Sequence, residues 1–168
     1  MARLLTITFI TLIVFFCVAE SVYAGTGLIV DKYAWGNILG WVNFNPTNGN
    51  VVVSDSALTG YIWSENFGWI NLAPVNGGVI NTGGQLSGNA WGEKTGWISF
   101  AGVSINASGG IFTGNAIGSI AGTITFDCAN CEVNTSWRPP LAVVGGGGNL
   151  SVISGRKLKS LFLIQMTV

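Results

Sequence analysis

The stretch GYIWSENFGWINL, residues 60–72, sets two tryptophans, Trp63 and Trp69, around a Glu-Asn-Phe-Gly turn. It occurs again as GNAWGEKTGWISF at 88–100 and earlier as KYAWGNILGWVNF at 32–44. The first tryptophans of these copies are Trp35, Trp63 and Trp91 and the second are Trp41, Trp69 and Trp97, so both series step by 28 residues. A fixed period of that size marks a repeat architecture built from one supersecondary unit. A fourth, degenerate copy, GNAIGSIAGTITF at 114–126, follows at a step of 26 and carries Ile117 and Thr123 in place of the tryptophans.

Past residue 24 no segment places apolar residues at helical spacing over three turns. Short Val, Ile, Thr and Trp runs of period two alternate with Gly and Asn clusters, which is an all-β pattern. Each unit reads as three strands: 51–53, 58–64 and 69–72 in the second copy, 79–80, 86–92 and 97–100 in the third, and 103–105, 112–118 and 123–126 in the fourth. The turn between the last two strands ends on glycine in every copy, at Gly40, Gly68, Gly96 and Gly122. A type I turn followed by a positive-φ residue is a common hairpin loop, and glycine enters that conformation without steric cost. That loop would set Glu65 opposite Trp69, Ser64 opposite Ile70 and Trp63 opposite Asn71.

Alternation then divides the side chains between two faces. Tyr61, Trp63, Glu65, Trp69 and Asn71 share one; Ile62, Ser64, Ile70 and Leu72 share the other. The aliphatic set recurs as Ala34, Gly36, Val42 and Phe44, as Ala90, Gly92, Ile98 and Phe100, and as Ala116, Gly118, Ile124 and Phe126. Only this face survives in the fourth copy, which reads as a terminal capping unit. Two architectures fit the repeat. The hairpin turn favours an antiparallel meander of tandem three-strand repeats, closing as a sandwich or barrel-like sheet; the alternative is a β-solenoid in which the same glycine makes a corner.

Composition sets the context. Arg3, the apolar run 4–18 and Val22-Tyr23-Ala24 have the layout of a secretory signal peptide cut after Ala24, the alternative being a retained N-terminal anchor. The apolar run is about 15 residues, short of the ~20 of a spanning helix. Cys17 lies inside it without the small residues that precede a lipid-modified cysteine. Removing 24 of 168 residues leaves 144, one domain with enough chain to bury a core. Charge is balanced, with seven basic and seven acidic residues making up 8% of the chain. Such a chain has no field to gather nucleic acid.

Two cysteines remain, Cys128 and Cys131. In an exported chain a pair this close reads as a small disulfide, with free or redox-active thiols and an intermolecular metal as alternatives. A zinc site needs four ligands, and the chain has no histidine. Acidic residues do not cluster with calcium-ligand spacing. The triplets at Asn106, Asn134 and Asn149 match the glycosylation pattern, a match that often arises by chance.

The tryptophans admit two uses. Buried, each would remove roughly 150–250 Å² from water, a gross ~4–6 kcal/mol, stack on its equivalent one repeat away and find indole N–H partners in Asn43, Asn71 and Ser99. Exposed, they would form an aromatic row with interleaved Asn and Glu, suited to sugar-ring stacking or adhesion. Glu65 and Glu93 hold equivalent turn positions and suggest a paired-carboxylate glycosidase only weakly, because the first copy has Asn37 there.

The WSENFGWIN, ALTGYIW and WGEKTGWISF segments resemble a Trp-rich "AWSENxGWINF" repeat of exported bacterial proteins. GTITFDCANCEVNTSWRPP, residues 122–140, is similar to the end of such arrays: Cys-x-x-Cys, Trp-Arg-Pro, then a glycine-rich linker. The resemblance covers about residues 30–140, and Ile38-Leu39 in the first turn departs from it. It implies an extracellular or cell-surface module of undefined activity and supplies no catalytic residue.

The expected organisation is a signal peptide over 1–24, a β-repeat domain over 25–140, and a Gly-rich linker with a basic and apolar tail over 141–168. The tail reads as the end of a truncated or disordered segment, or as a short docking or interfacial piece. The expected protein is an exported, non-enzymatic structural or adhesive repeat protein of the cell surface, without cofactor or metal and without a stable membrane span after signal cleavage. It would self-associate or hold surface glycans or matrix. The alternative is a carbohydrate-binding module using Trp35, Trp41, Trp63, Trp69, Trp91 and Trp97.

Overall fold

Each copy of the motif folds as a hairpin that closes on a glycine in the left-handed region, with φ of +68° at Gly40, +85° at Gly68, +67° at Gly96 and +71° at Gly122. The expected turn chemistry is therefore present in all four copies. The computed structural model describes residues 25–140. The expected signal peptide with Cys17, and the expected linker and tail with the Asn149 triplet, lie outside the described residues.

The hairpins pair β1 (Thr26–Gly36) with β2 (Gly40–Asn43), β5 (Tyr61–Ser64) with β6 (Gly68–Asn71), β8 (Gln85–Gly92) with β9 (Gly96–Ser99), and β11 (Phe112–Gly118) with β12 (Gly122–Thr125). The ladder resumes on the glycine itself, so Ser64 faces Gly68, Ile62 faces Ile70 and Trp63 faces Trp69. The expected pairing of Trp63 with Asn71 is thus displaced along the ladder. The displacement is two residues, one full pleat, so every side chain keeps its expected face.

Neighbouring hairpins join by one repeated step: Val42 opposite Ser64, Ile70 opposite Gly92, Ile98 opposite Gly118 and Ile124 opposite Gly36. The fourth step returns to β1, so the sheet closes into an eight-stranded antiparallel barrel. Closure leaves no free edge along this ring, and it excludes the β-solenoid and an open sandwich. The degenerate copy closes the ring rather than ending a stack.

The remaining strands extend the barrel at the end away from the hairpin turns. They are β3 (Val52–Ser54), β4 (Ala57–Thr59), β7 (Gly78–Thr82), β10 (Val103–Ile105), β13 (Asp127–Cys128) and β14 (Cys131–Thr135). The run 58–64, expected as one strand, is broken at Gly60, where φ is +93°. Gly88 and Gly114 occupy the same place in the next copies, and a Cβ there would lie 2.0 Å and 2.1 Å from the carbonyl oxygens of Gly78 and Gly102. At this point each long strand bends: its first half pairs in the extension and its second half in the barrel.

β14 supplies the first copy with its leading strand. Val79 faces Gly88 and Val103 faces Gly114; Val133 faces Lys32, the residue equivalent to those glycines. The C-terminal strand therefore completes the N-terminal repeat. The two ends of the described chain are fastened together by Asp55, whose carboxylate accepts from the Gly25 N–H at 2.7 Å and the buried Trp137 indole N–H at 2.8 Å. Arg138 adds bonds to the carbonyls of Ser108, Gly109, Thr135 and Trp137.

The interior is the aliphatic face. Val42, Ile62, Ile70, Ile98 and Ile124 are buried, and below them Phe44, Phe100, Phe112 and Phe126 form an aromatic layer with ring centroids 5.4 Å apart for Phe44 and Phe126. Leu39, Thr95 and Ala121 tuck inward from their turns and plug the hairpin end. The small residue facing each turn leaves room: a Cβ on Gly36 would sit 2.7 Å from Leu39 Cβ. Leu39 in the first turn thus fills the barrel mouth.

Candidate binding surface on the outer wall

Because Ile62 and Ile70 point inward, alternation sends Trp63 and Trp69 to the outer wall. All six repeat tryptophans are 37–45% exposed. Each hairpin pairs its own two indoles across the strands: Trp35–Trp41 at 5.1 Å and 73°, Trp63–Trp69 at 5.0 Å and 79°, Trp91–Trp97 at 4.8 Å and 59°. The contact is within a hairpin, correcting the expected stacking from one repeat to the next. It follows from the ladder, which seats the two tryptophans directly opposite each other. Tyr33 and Tyr61 extend two of the clusters, 6.1 Å from Trp41 and 6.3 Å from Trp69.

The expected indole partners have another role. Asn43 accepts from the Asn45 N–H at 2.8 Å, Asn71 from Ala73 at 2.9 Å and Ser99 from Ala101 at 3.4 Å, so these side chains cap the turns that leave the barrel. Half-exposed indoles can donate to water, which removes the need for a protein acceptor. Trp137, the buried tryptophan, has the protein acceptor.

Glu65 clamps the neighbouring hairpin: its carboxylate accepts from the Trp41 N–H at 3.2 Å, and its own N–H donates to the Trp41 carbonyl at 2.9 Å. Asn37 does the same to Thr123, with bonds of 2.8 Å and 3.0 Å. Glu65 is thus a seam residue, whereas Glu93, at the equivalent turn position, makes no such bond among the described residues. Cys128 and Cys131 form a disulfide across the β13–β14 hairpin. Among the described residues no group of three or more His, Cys, Asp or Glu could hold a metal ion, and no helix is long and apolar enough to cross a membrane.

The seam between the first two hairpins opens into a groove of about 580 Å³ lined by Tyr33, Trp41, Asn43, Trp63, Glu65 and Asn130. It joins Trp41 and Trp63, expected as separate members of two series, because Asn43 pairs with Trp63 across the seam. Asn130 stands in the disulfide loop and was not among the expected site residues. Its sequence signal is positional: Phe126 precedes Val133 by the same seven residues that separate Phe44 from Val51 and Leu72 from Val79. That spacing makes the cysteine loop the counterpart of the loops at 45–50 and 73–78.

Comparison with protein-family models, with curated proteins and with solved structures found no match, so the reading of this surface rests on its geometry.

Proposed function

We propose that the protein is an exported, non-catalytic module of the cell surface or extracellular space, structural or adhesive in role, that presents its tryptophan hairpins to a partner. The observation that carries this reading is the separation of the two faces: the barrel has a filled interior of aliphatic and phenylalanine side chains, and six tryptophans stand on its outer wall. Large aromatic rings partly withdrawn from water and bordered by amides form a surface that gains by being covered. The engagement of Glu65 in a backbone clamp supports a structural role for the residue that most resembled a catalytic acid. The resemblance to Trp-rich exported repeats points the same way.

A second reading, carbohydrate binding through the tryptophans, is favoured by the groove at the first seam, where indoles and amides converge. Adhesion is tested by retention of the purified protein on cell envelopes and extracellular matrix, with light scattering alongside. The expected result is retention or reversible self-association that falls at least tenfold in a Trp41→Ala/Trp63→Ala/Trp91→Ala variant. A dilution-stable monomer retained by neither material would contradict it.

A further inference from the structure

The first seam groove has walls of two kinds. Tyr33, Trp41 and Trp63 supply aromatic surface; Asn43, Glu65 and Asn130 supply polar atoms. The polar atoms are not all engaged: Asn43 uses its carbonyl for the Asn45 cap, Glu65 uses one oxygen for the Trp41 clamp, and among the described residues the Asn43 amide nitrogen, the second Glu65 oxygen and the Asn130 side chain make no hydrogen bond. One carboxylate, Glu65, lines the groove, and the Lys32 ammonium stands 5.4 Å from the centroid of the Tyr33 ring, so the site sets opposite charges side by side and has no single-sign field to gather an anion or a cation. Its volume of about 580 Å³ lies within the usual range for small-molecule sites and exceeds what a single quaternary ammonium needs. Aromatic surface for C–H faces, with amide and carboxylate groups for hydroxyls, is the chemistry of a neutral saccharide.

The next seam repeats the aromatic and amide part of the set. Asn71 faces Trp91 as Asn43 faces Trp63, which puts Tyr61, Trp69, Asn71 and Trp91 in the register of the first seam, while Glu93, the counterpart of Glu65, makes no bond to Trp69 among the described residues. At the third seam Ser99 faces Ile117, and at the fourth Thr125 faces Trp35, so neither has two tryptophans across the seam. We infer that the outer wall carries two neutral-saccharide sites, one at each of the first two seams, and that the disulfide loop gives the first an extra wall through Asn130. This deepens the carbohydrate reading above and rests on it. Two sites one repeat apart on a rigid barrel suit a glycan chain or a glycan-covered surface, where the second contact is made at high effective concentration.

The test is calorimetric titration of the folded protein with cellohexaose, laminarihexaose and mannohexaose, with choline chloride as the cationic competitor. At least one hexasaccharide is expected to saturate at two per chain. Trp41→Ala and Trp91→Ala should each leave one site and the double variant none, while Ile117→Ala, exposed on the fourth hairpin and outside both seams, leaves two. Asn130→Ala, in an exposed loop away from the core, should weaken one site about tenfold, a lost hydrogen bond's worth, and leave the other unchanged. Failure of the intact protein to bind any of the three, binding that survives the double variant, or saturation by choline in their place would overturn the proposal. Retention on cell envelopes, measured in parallel, separates the levels: saturation at one hexasaccharide per chain sinks this inference alone, adhesion without saccharide binding sinks the carbohydrate reading with it, and loss of both sinks the adhesive reading as well.

Discussion

The second and fourth hairpins have one backbone and two exteriors. Ile62 and Ile70 in one, Ala116 and Ile124 in the other, face each other across the same ladder and are buried to the same degree. Gly68 and Gly122 close both turns with positive φ. Outside, Trp63 and Trp69 are replaced by Ile117 and Thr123, and Tyr61 by Asn115, whose amide oxygen accepts from the Thr125 hydroxyl at 2.9 Å. The fourth hairpin nonetheless pairs with β9 on one side and β1 on the other through the same step as its fellows. Barrel closure therefore depends on the inward residues and the glycine, and the tryptophans belong to what the wall does after it has formed.

The inner equivalence gives the largest expected effect. Ile70→Ala and Ile124→Ala should each destabilise the fold by about 2–5 kcal/mol, since both delete buried branched side chains that the layer cannot refill. Denaturant unfolding of the two variants checks this, and a loss confined to Ile70 would break the equivalence of the hairpins. A smaller effect is expected outside. Trp63→Ala removes a half-exposed edge-to-face partner and should cost roughly 1 kcal/mol, with the fold intact by circular dichroism. If Trp63→Ala instead cost as much as Ile70→Ala, the tryptophans would be part of the core and the contrast between the hairpins would lose its meaning.

Much of this contrast was readable in the sequence because it is local. The turn glycine, the period of two and the 28-residue step all act within a dozen residues or repeat openly, and they led to the all-β class, the hairpins and both faces. The register differed by one pleat because the glycine serves as a ladder residue as well as a turn residue, which loop chemistry alone does not decide. Gly60, Gly88 and Gly114 open the second, third and fourth motif copies, yet their purpose depends on a carbonyl of Asn50, Gly78 or Gly102 lying where a Cβ would be.

Closure was hardest to see, since Val133 pairs with Lys32 across a hundred residues and nothing near either one announces the other. The groove shared that difficulty. Trp41, Trp63 and Asn130 come from three separate segments, and only the closed ring brings them to one seam. The solenoid alternative failed for the same reason: a fixed period permits stacking or closure, and the antiparallel seam between successive hairpins selects closure.

The division between an interior free of the repeat tryptophans and a wall that bears them is tested most directly by quenching intrinsic fluorescence in the native protein with iodide and acrylamide. Of the seven tryptophans, six are expected to be accessible, and Trp137, 1% exposed, is expected to be protected until the chain unfolds. A native protein in which most of the emission resists both quenchers would place the repeat tryptophans inside and contradict the account.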